Sequence, residues 1–200
     1  MTGGAWDDAY LHNRAPWDIG RPQPAIARVA DAGGFVEPVL DIGCGSGEHA
    51  LLAANMGFQV TGVDIAQAAI ERARSKARQR GLSVDFLIGD VLALEDIERL
   101  NPPYRTVTDV GCFHTFPNAD RPVYAASLAA VVDSGGILHL LCFSEDTPGT
   151  GGPRRVAQAE IRQTFSRDWF VESIEPDTFA VSSLWSGPPP NAWLARVIRR

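Results

Sequence analysis

From residue 36 onward, apolar runs and amphipathic stretches alternate along the chain. Short runs rich in β-branched and apolar residues read as buried strands at about 37–42, 58–64, 83–88, 105–110 and 136–143. Between them lie helical patterns at about 47–56, 66–80, 93–100 and 121–132. Ala69, Ile70, Ala73 and Ala77 form the apolar stripe of the second of these. Gly57, Gly81 and Pro102-Pro103 supply stops. Strands alternating with helices predict an α/β fold with a parallel sheet covered on both faces.

The two ends of the chain depart from this rhythm. A short helix at 5–12 precedes the proline-rich stretch 15–24. A helix then starts near Pro22–Pro24 and runs to Gly33-Gly34, with Ile26, Val29 and Ala30 on one face. Late in the chain, Thr147 to Pro153 reads as a loop and a candidate lid, and a helix follows near 157–165. Strands at about 169–180 and 192–199 have no helix between them, so they predict a hairpin with one antiparallel strand.

The informative stretch is Val39-Leu40-Asp41-Ile42-Gly43-Cys44-Gly45-Ser46-Gly47. It joins the first strand to its helix through glycines at alternate positions. Such a turn accepts positive φ and exposes helix N-terminal amides to a ligand, which points to a nucleoside cofactor. The dinucleotide pattern G-x-G-x-x-G fits poorly, because Glu48 stands at its third glycine position. Asp64 closes the second strand, where an acid can take both ribose hydroxyls. Asp90 follows the third strand and can accept from the adenine amine, with Ile65 and Val91 covering the ring.

Composition narrows the partners. Hydrophobic residues make up 45% and charged residues 21% of 200 residues, as in a single soluble domain. Residues 1–35 are expected to cover the site and 36–200 to form the core. A net charge of −6 with no basic block argues against nucleic acid, and the run Arg72–Arg80 reads as a wet helix face. No stretch is long and apolar enough for a membrane span, and residues 1–8 do not resemble a signal peptide. The cysteines Cys44, Cys112 and Cys142 form no CxxC pair, so no metal site is expected and a reducing cytoplasm fits.

Together, the segments 39–47, Gly62-Val63-Asp64-Ile65, Gly89-Asp90-Val91 and Asp109-Val110-Gly111-Cys112-Phe113-His114 resemble the class I S-adenosylmethionine-dependent methyltransferases. The resemblance covers the chain from about residue 15. It implies a doubly wound, seven-stranded, mostly parallel Rossmann-like sheet closed by an antiparallel C-terminal strand. It implies S-adenosyl-L-methionine as cofactor and S-adenosyl-L-homocysteine as product. Asp41, Gly43 and Gly45 would hold the methionine portion, Asp64 the ribose and Asp90 the adenine amine, with Gly111 beside the sulfonium. A narrower likeness, carried by 16–24 and 113–117, is to small-molecule enzymes of the thiopurine, halide/thiol and mycobacterial quinone type. Asn101-Pro102-Pro103-Tyr104 precedes the fourth strand instead of ending it, unlike the DNA amino-methyltransferase signature.

The expected reaction is in-line displacement onto an O, S or N atom of a small-molecule acceptor. His114 is the candidate catalytic base, set against a histidine that only shapes the wall. Trp17, Phe113 and Phe116 join it as expected substrate contacts, and Trp17 also as a cofactor contact. His139 and His49 read as structural, and Arg21 could pair with a carboxylate. Alternatives are a sugar O-methyltransferase, a nicotinamide-dependent oxidoreductase and a non-catalytic cofactor-binding protein, each as monomer or homodimer.

Overall fold

In the computed structural model, which describes residues 3–200, seven strands form one sheet in the order β3-β2-β1-β4-β5-β7-β6. Met1 and Thr2, at the start of the segment read above as lacking a signal peptide, lie outside the described residues. The strands are β1 Val39–Ile42, β2 Val60–Asp64, β3 Asp85–Ile88, β4 Tyr104–Val110, β5 Val132–Phe143, β6 Trp169–Thr178 and β7 Asn191–Arg199. The first five run parallel, and β7 pairs antiparallel with both β5 and β6.

Helices α1 Gly3–Leu11, α2 Pro24–Asp31, α3 Glu48–Asn55 and α4 Gln67–Arg80 precede β3, while α5 Arg121–Val131 and α6 Gln158–Thr164 flank β5. Side chains alternate across the sheet as strand geometry requires. Along β5, Leu138, Leu140 and Cys142 pack with Tyr124 and Leu128 of α5, whereas Leu141 and Phe143 pack in the core that includes α2 and α3. The strand order reverses between β1 and β4, so a crevice opens at the carboxyl ends of these strands.

Local differences from the sequence reading have identifiable causes. The helix expected at 93–100 is a 3₁₀ segment, Val91–Asp96, because the Asp90 carboxylate accepts the Leu92 N–H at 2.9 Å and starts it early. The basic run is a wet face only in part: Arg78 and Arg80 are exposed, but several of its side chains bind the protein. Arg72 donates to the Tyr10 carbonyl and to Asn13, Arg74 to the Phe86 carbonyl, and Lys76 and Arg80 to Glu48. These contacts dock α1 and the glycine turn onto α4. Burial pushes Glu48 up, yet hydrogen bonds from Arg80 and Lys76 hold its carboxyl below the ordinary value. The residue that breaks the dinucleotide pattern is thus the anchor of this ion cluster.

Candidate active site

A cavity of about 750 Å³ fills the crevice. Its floor is the glycine turn, its roof comes from α1, residues 16–23 and the β6–β7 loop, and Phe116 and Phe143 line its far end. Gly43 and Gly45 have φ of +57° and +53°. A Cβ on Gly43 would stand 2.7 Å from Cys112 Cβ, and one on Gly45 would stand 2.4 Å from the Tyr10 hydroxyl. Bare backbone is therefore required on both sides of the turn.

Asp64 sits at the cavity wall with its carboxylate fixed from below. Gly45 N–H donates to Oδ2 at 2.7 Å and Ala66 N–H to Oδ1 at 2.8 Å. Burial raises its pKa, opposed by these two bonds. Ile65 and Val91 line the cavity beside it, and Asp90 lines it as well. The Trp17 indole N–H donates to the Tyr10 hydroxyl at 3.0 Å, and its ring meets Trp6 edge-on at 5.4 Å.

At the other end stand His114, Phe116, Phe143, Phe179 and Trp185. His114 lies on the 3₁₀ turn Phe113–Thr115. That turn is fixed by Asp109, which accepts the N–H groups of Cys112 and Phe113 and the Tyr124 hydroxyl. The Phe143 N–H donates to His114 Nδ1 at 3.0 Å. Burial, with Arg121 and Arg155 nearby, lowers the histidine to about 3.

A family profile described as a methyltransferase domain matches residues 39–136. The 2-heptyl-1-hydroxyquinolin-4(1H)-one methyltransferase of Mycobacteroides abscessus is 34% identical over 169 residues, covering 83% of this chain and 73% of that protein. The chain belongs to the class I S-adenosylmethionine-dependent methyltransferases. This membership displaces the nicotinamide and non-catalytic alternatives. A probable thiol methyltransferase of Arabidopsis thaliana is 28% identical over 165 residues, covering 81% and 71% of the two chains. A solved structure concerned with conversion of a disulfide bond into a thioacetal group during echinomycin biosynthesis is 32% identical. It superposes with a TM-score of 0.88 over 100% of this chain and 93% of that one.

The methyltransferase cavity fits its donor on its own geometry. Gly43 and Gly45 hold the turn at positive φ with its backbone lining the cavity, and Asp64 presents a buried carboxylate there, each oxygen already accepting one backbone N–H. Trp17, Gly43, Gly45, Asp64, Ile65, Asp90, Val91, Gly111, His114 and Phe116 all line the one cavity.

Two expected contacts lie elsewhere. Asp41 is buried beneath the turn, where it accepts the Ala50 N–H at 3.1 Å and the Thr108 hydroxyl at 2.7 Å. It ties β1, α3 and β4 together and does not line the cavity; burial pushes it up to about 7. Phe113 is fully buried, 5.5 Å from the Tyr124 ring centre and under the Arg121 guanidinium at 4.6 Å. The tight turn directs Phe113 into the core, and the chain becomes extended at Phe116, which reaches the cavity instead. The base role expected of His114 also meets an obstacle, since the nitrogen able to take a proton faces a backbone N–H.

Other candidates resolve as structural. His139 bonds the Gly34 carbonyl at 3.0 Å, and His49 accepts the Gln23 N–H at 3.0 Å. Glu145, an acid just after β5, accepts from the Trp193 indole. Among the described residues, no group of three or more His, Cys, Asp or Glu is placed to hold a metal. Arg155 donates to the carbonyls of Pro148, Gly149, Gly151 and Pro153, so the loop expected as a lid is wrapped around one guanidinium.

Sequence reasoning did not single out Tyr10, Gln23, Phe179 and Trp185: Gln23 lies inside the 16–24 segment but carries no chemistry readable alone, and the others come from segments with no motif. Gln23 is the clasp of the roof. Its amide N–H donates to the Ala180 carbonyl and its oxygen accepts the Ala180 N–H, both at 2.8 Å. Gln23→Ala leaves both backbone groups without that partner. The expected cost is about 2–3 kcal/mol, read as a fall in melting temperature of roughly 5–10 °C, together with a rise in KM for the donor.

Proposed function

We propose that this methyltransferase moves a methyl group onto an oxygen or sulfur atom of a small, largely apolar aromatic acceptor. The observation that carries this reading is the lining of the acceptor end, where Phe116, Phe143, Phe179, Val181 and Trp185 surround His114. Phe143 meets Phe179 at 5.4 Å and Trp185 at 5.8 Å, both edge-on, which makes a stiff apolar slot. Such a wall suits a planar ring, and Thr115, Asp120 and Arg154 line the same cavity to meet the polar atoms that ring carries. The relative from Mycobacteroides abscessus is named for a hydroxyquinolinone and that from Arabidopsis thaliana for thiols, which supports the same acceptor class.

On the donor side, Asp64 would take the ribose hydroxyls and Asp90 the adenine amine. Ile65 and Val91 would flank the ring, and the Gly43–Gly45 backbone would hold the methionine portion. S-adenosyl-L-methionine supplies a methyl group already activated on a sulfonium. The protein's contribution is then alignment and exclusion of water. The Trp17–Tyr10 pair and the Gln23 clasp hold the segments that would cover the bound donor. The free thiols Cys44, Cys112 and Cys142 are consistent with work in a reducing cytoplasm. Among the described residues, no helix is long and apolar enough to cross a membrane.

The test is transfer of labelled methyl from S-adenosyl-L-methionine across thiols, phenols, N-hydroxy heterocycles and sugars, with and without magnesium. Labelled aromatic hydroxyls or thiols, unaffected by magnesium, are expected. Labelling confined to sugars would overturn the reading.

A further inference from the structure

The geometry points to His114 as a fixed hydrogen-bond donor toward the methyl acceptor, and we infer that the acceptor enters this site as an anion. The inference rests on the reading just given and adds to it the charge state of the substrate.

The tautomer follows from one bond. A backbone N–H can only donate, and that of Phe143 points at His114 Nδ1 at 3.0 Å. Nδ1 is therefore the lone-pair nitrogen, and the proton of the neutral ring is on Nε2. Nε2 is the nitrogen beside Gly111, 3.2 Å from where a Cβ on that glycine would stand. Gly111 and His114 both line the cavity, so the ring offers the acceptor an N–H and not a lone pair. Taking a proton from the acceptor would need either the opposite tautomer or the imidazolium. Both place Nδ1–H head-on against the Phe143 N–H.

The surroundings hold the ring to this state. It is 4% exposed and packed edge-on against Phe143 at 4.8 Å, with Phe179 at 5.9 Å. Arg121 from α5 and Arg155 from the loop after β5 are the charges that act on it, and both oppose a second proton. Phe143 and Phe179 carry no charge. The depressed pKa agrees with the geometry. Neither of these guanidiniums lines the cavity; Arg154 does and favours a negative acceptor there, with the Asp120 carboxylate as the opposing charge.

With an anionic acceptor the step balances without a base. The acceptor–carbon bond forms as the carbon–sulfur bond breaks, and the electron pair of the broken bond stays on sulfur. The acceptor's negative charge and the sulfonium's positive charge cancel, and no proton moves. The Nε2–H would hold the anionic atom or a neighbouring carbonyl in line. The acceptor class is then acidic hydroxyls and thiols, such as N-hydroxy heterocycles, thiophenols and electron-poor phenols. Simple alcohols and sugar hydroxyls are excluded.

Two measurements test this. In the first, histidine is labelled with ¹⁵N and the full-length protein is examined by NMR between pH 5 and 8. A neutral Nε2–H form of His114, assigned by its loss in His114→Gln, is expected throughout. An Nδ1–H form or an imidazolium in that range overturns the inference whether or not an acceptor is known. In the second, kcat/KM is followed against pH for thiophenols and phenols of graded acidity. The inflection should track the pKa of each acceptor, with a plateau above it. His114→Ala should lower the plateau by roughly 10- to 100-fold, while S-adenosylhomocysteine binding by calorimetry stays intact, and His114→Gln should recover part of the loss. An inflection at one pH shared by all acceptors, removed by His114→Ala or by Asp120→Asn, identifies a protein base and overturns the inference. Failure to methylate any of them despite donor binding would instead overturn the proposed function on which it rests.

Discussion

Asp64→Ala is expected to weaken S-adenosylhomocysteine binding by about 10²- to 10⁴-fold. The wild-type carboxylate works on two sides. Toward the protein it accepts the N–H groups of Gly45 and Ala66 at 2.7 and 2.8 Å. Toward the cavity it has lone pairs left for the two proposed ribose hydroxyls. A hydrogen bond to a charged group contributes about 1.5–3 kcal/mol, so two such bonds account for about 3–6 kcal/mol, which is the stated range. Alanine also releases the Gly45 amide, so the turn itself loosens. Asp64→Asn separates these effects. It keeps the shape but turns an amide N–H toward either a backbone N–H or the ligand. Calorimetric titration of both variants checks the result, with thermal melts to confirm folding. An affinity within tenfold of wild type in Asp64→Ala would remove Asp64 from the donor site.

The second large effect is on stability. Gly47 has φ of +87°, and a Cβ there would stand 2.7 Å from Phe86 Cζ and 2.9 Å from Ala73 Cβ. Gly47→Ala therefore adds left-handed strain of about 1–2 kcal/mol to an overpacking cost of about 1–3 kcal/mol. The expected fall in melting temperature is roughly 5–15 °C. Gly81→Ala is the internal reference. Its φ is +65°, but nothing lies within 4 Å of the added carbon, so it carries strain alone. Comparing the two by chemical denaturation isolates the packing cost. Equal losses in the two variants would show that Phe86 and α4 yield freely, contrary to this account.

The parts of the fold that were readable in the sequence share a local cause. The β1 strand, its glycine turn and α3 are consecutive, and three positive-φ glycines dictate the turn from within. The alternation of strands and helices likewise needs only short-range pattern, and so does the terminal hairpin. Asp41 and Asp64 show where this stops. Both are acids near strand ends, and their sequence contexts look alike. The register of β1 on β2 pairs Asp41 with Gly62 and Ile42 with Val63. Asp64 therefore stands beyond the last paired residue of β1, at the cavity, while Asp41 lies within the paired stretch below the turn. No spacing within either motif carries that offset.

The acceptor end shows the same limit more strongly. Phe113 and Phe116 are equivalent in composition and neighbourhood, and only the Asp109-capped turn sends one to the core and the other to the cavity. The protonation of His114 depends on the amide of Phe143, which is 29 residues away in the chain. The wall itself is assembled from residues 16–23, 114–117, 143 and 179–185, which meet only after the sheet has closed.

The sequence by itself marked the glycine turn, Asp64 and Asp90 that line one side of the cavity, because nearest-neighbour conformation encodes them, whereas Asp41 was placed only by the sheet register. The tertiary structure alone decided the acceptor half. A hydrogen-bonding role belongs to the partner as much as to the residue, and those partners are brought together by long-range packing that no local pattern records.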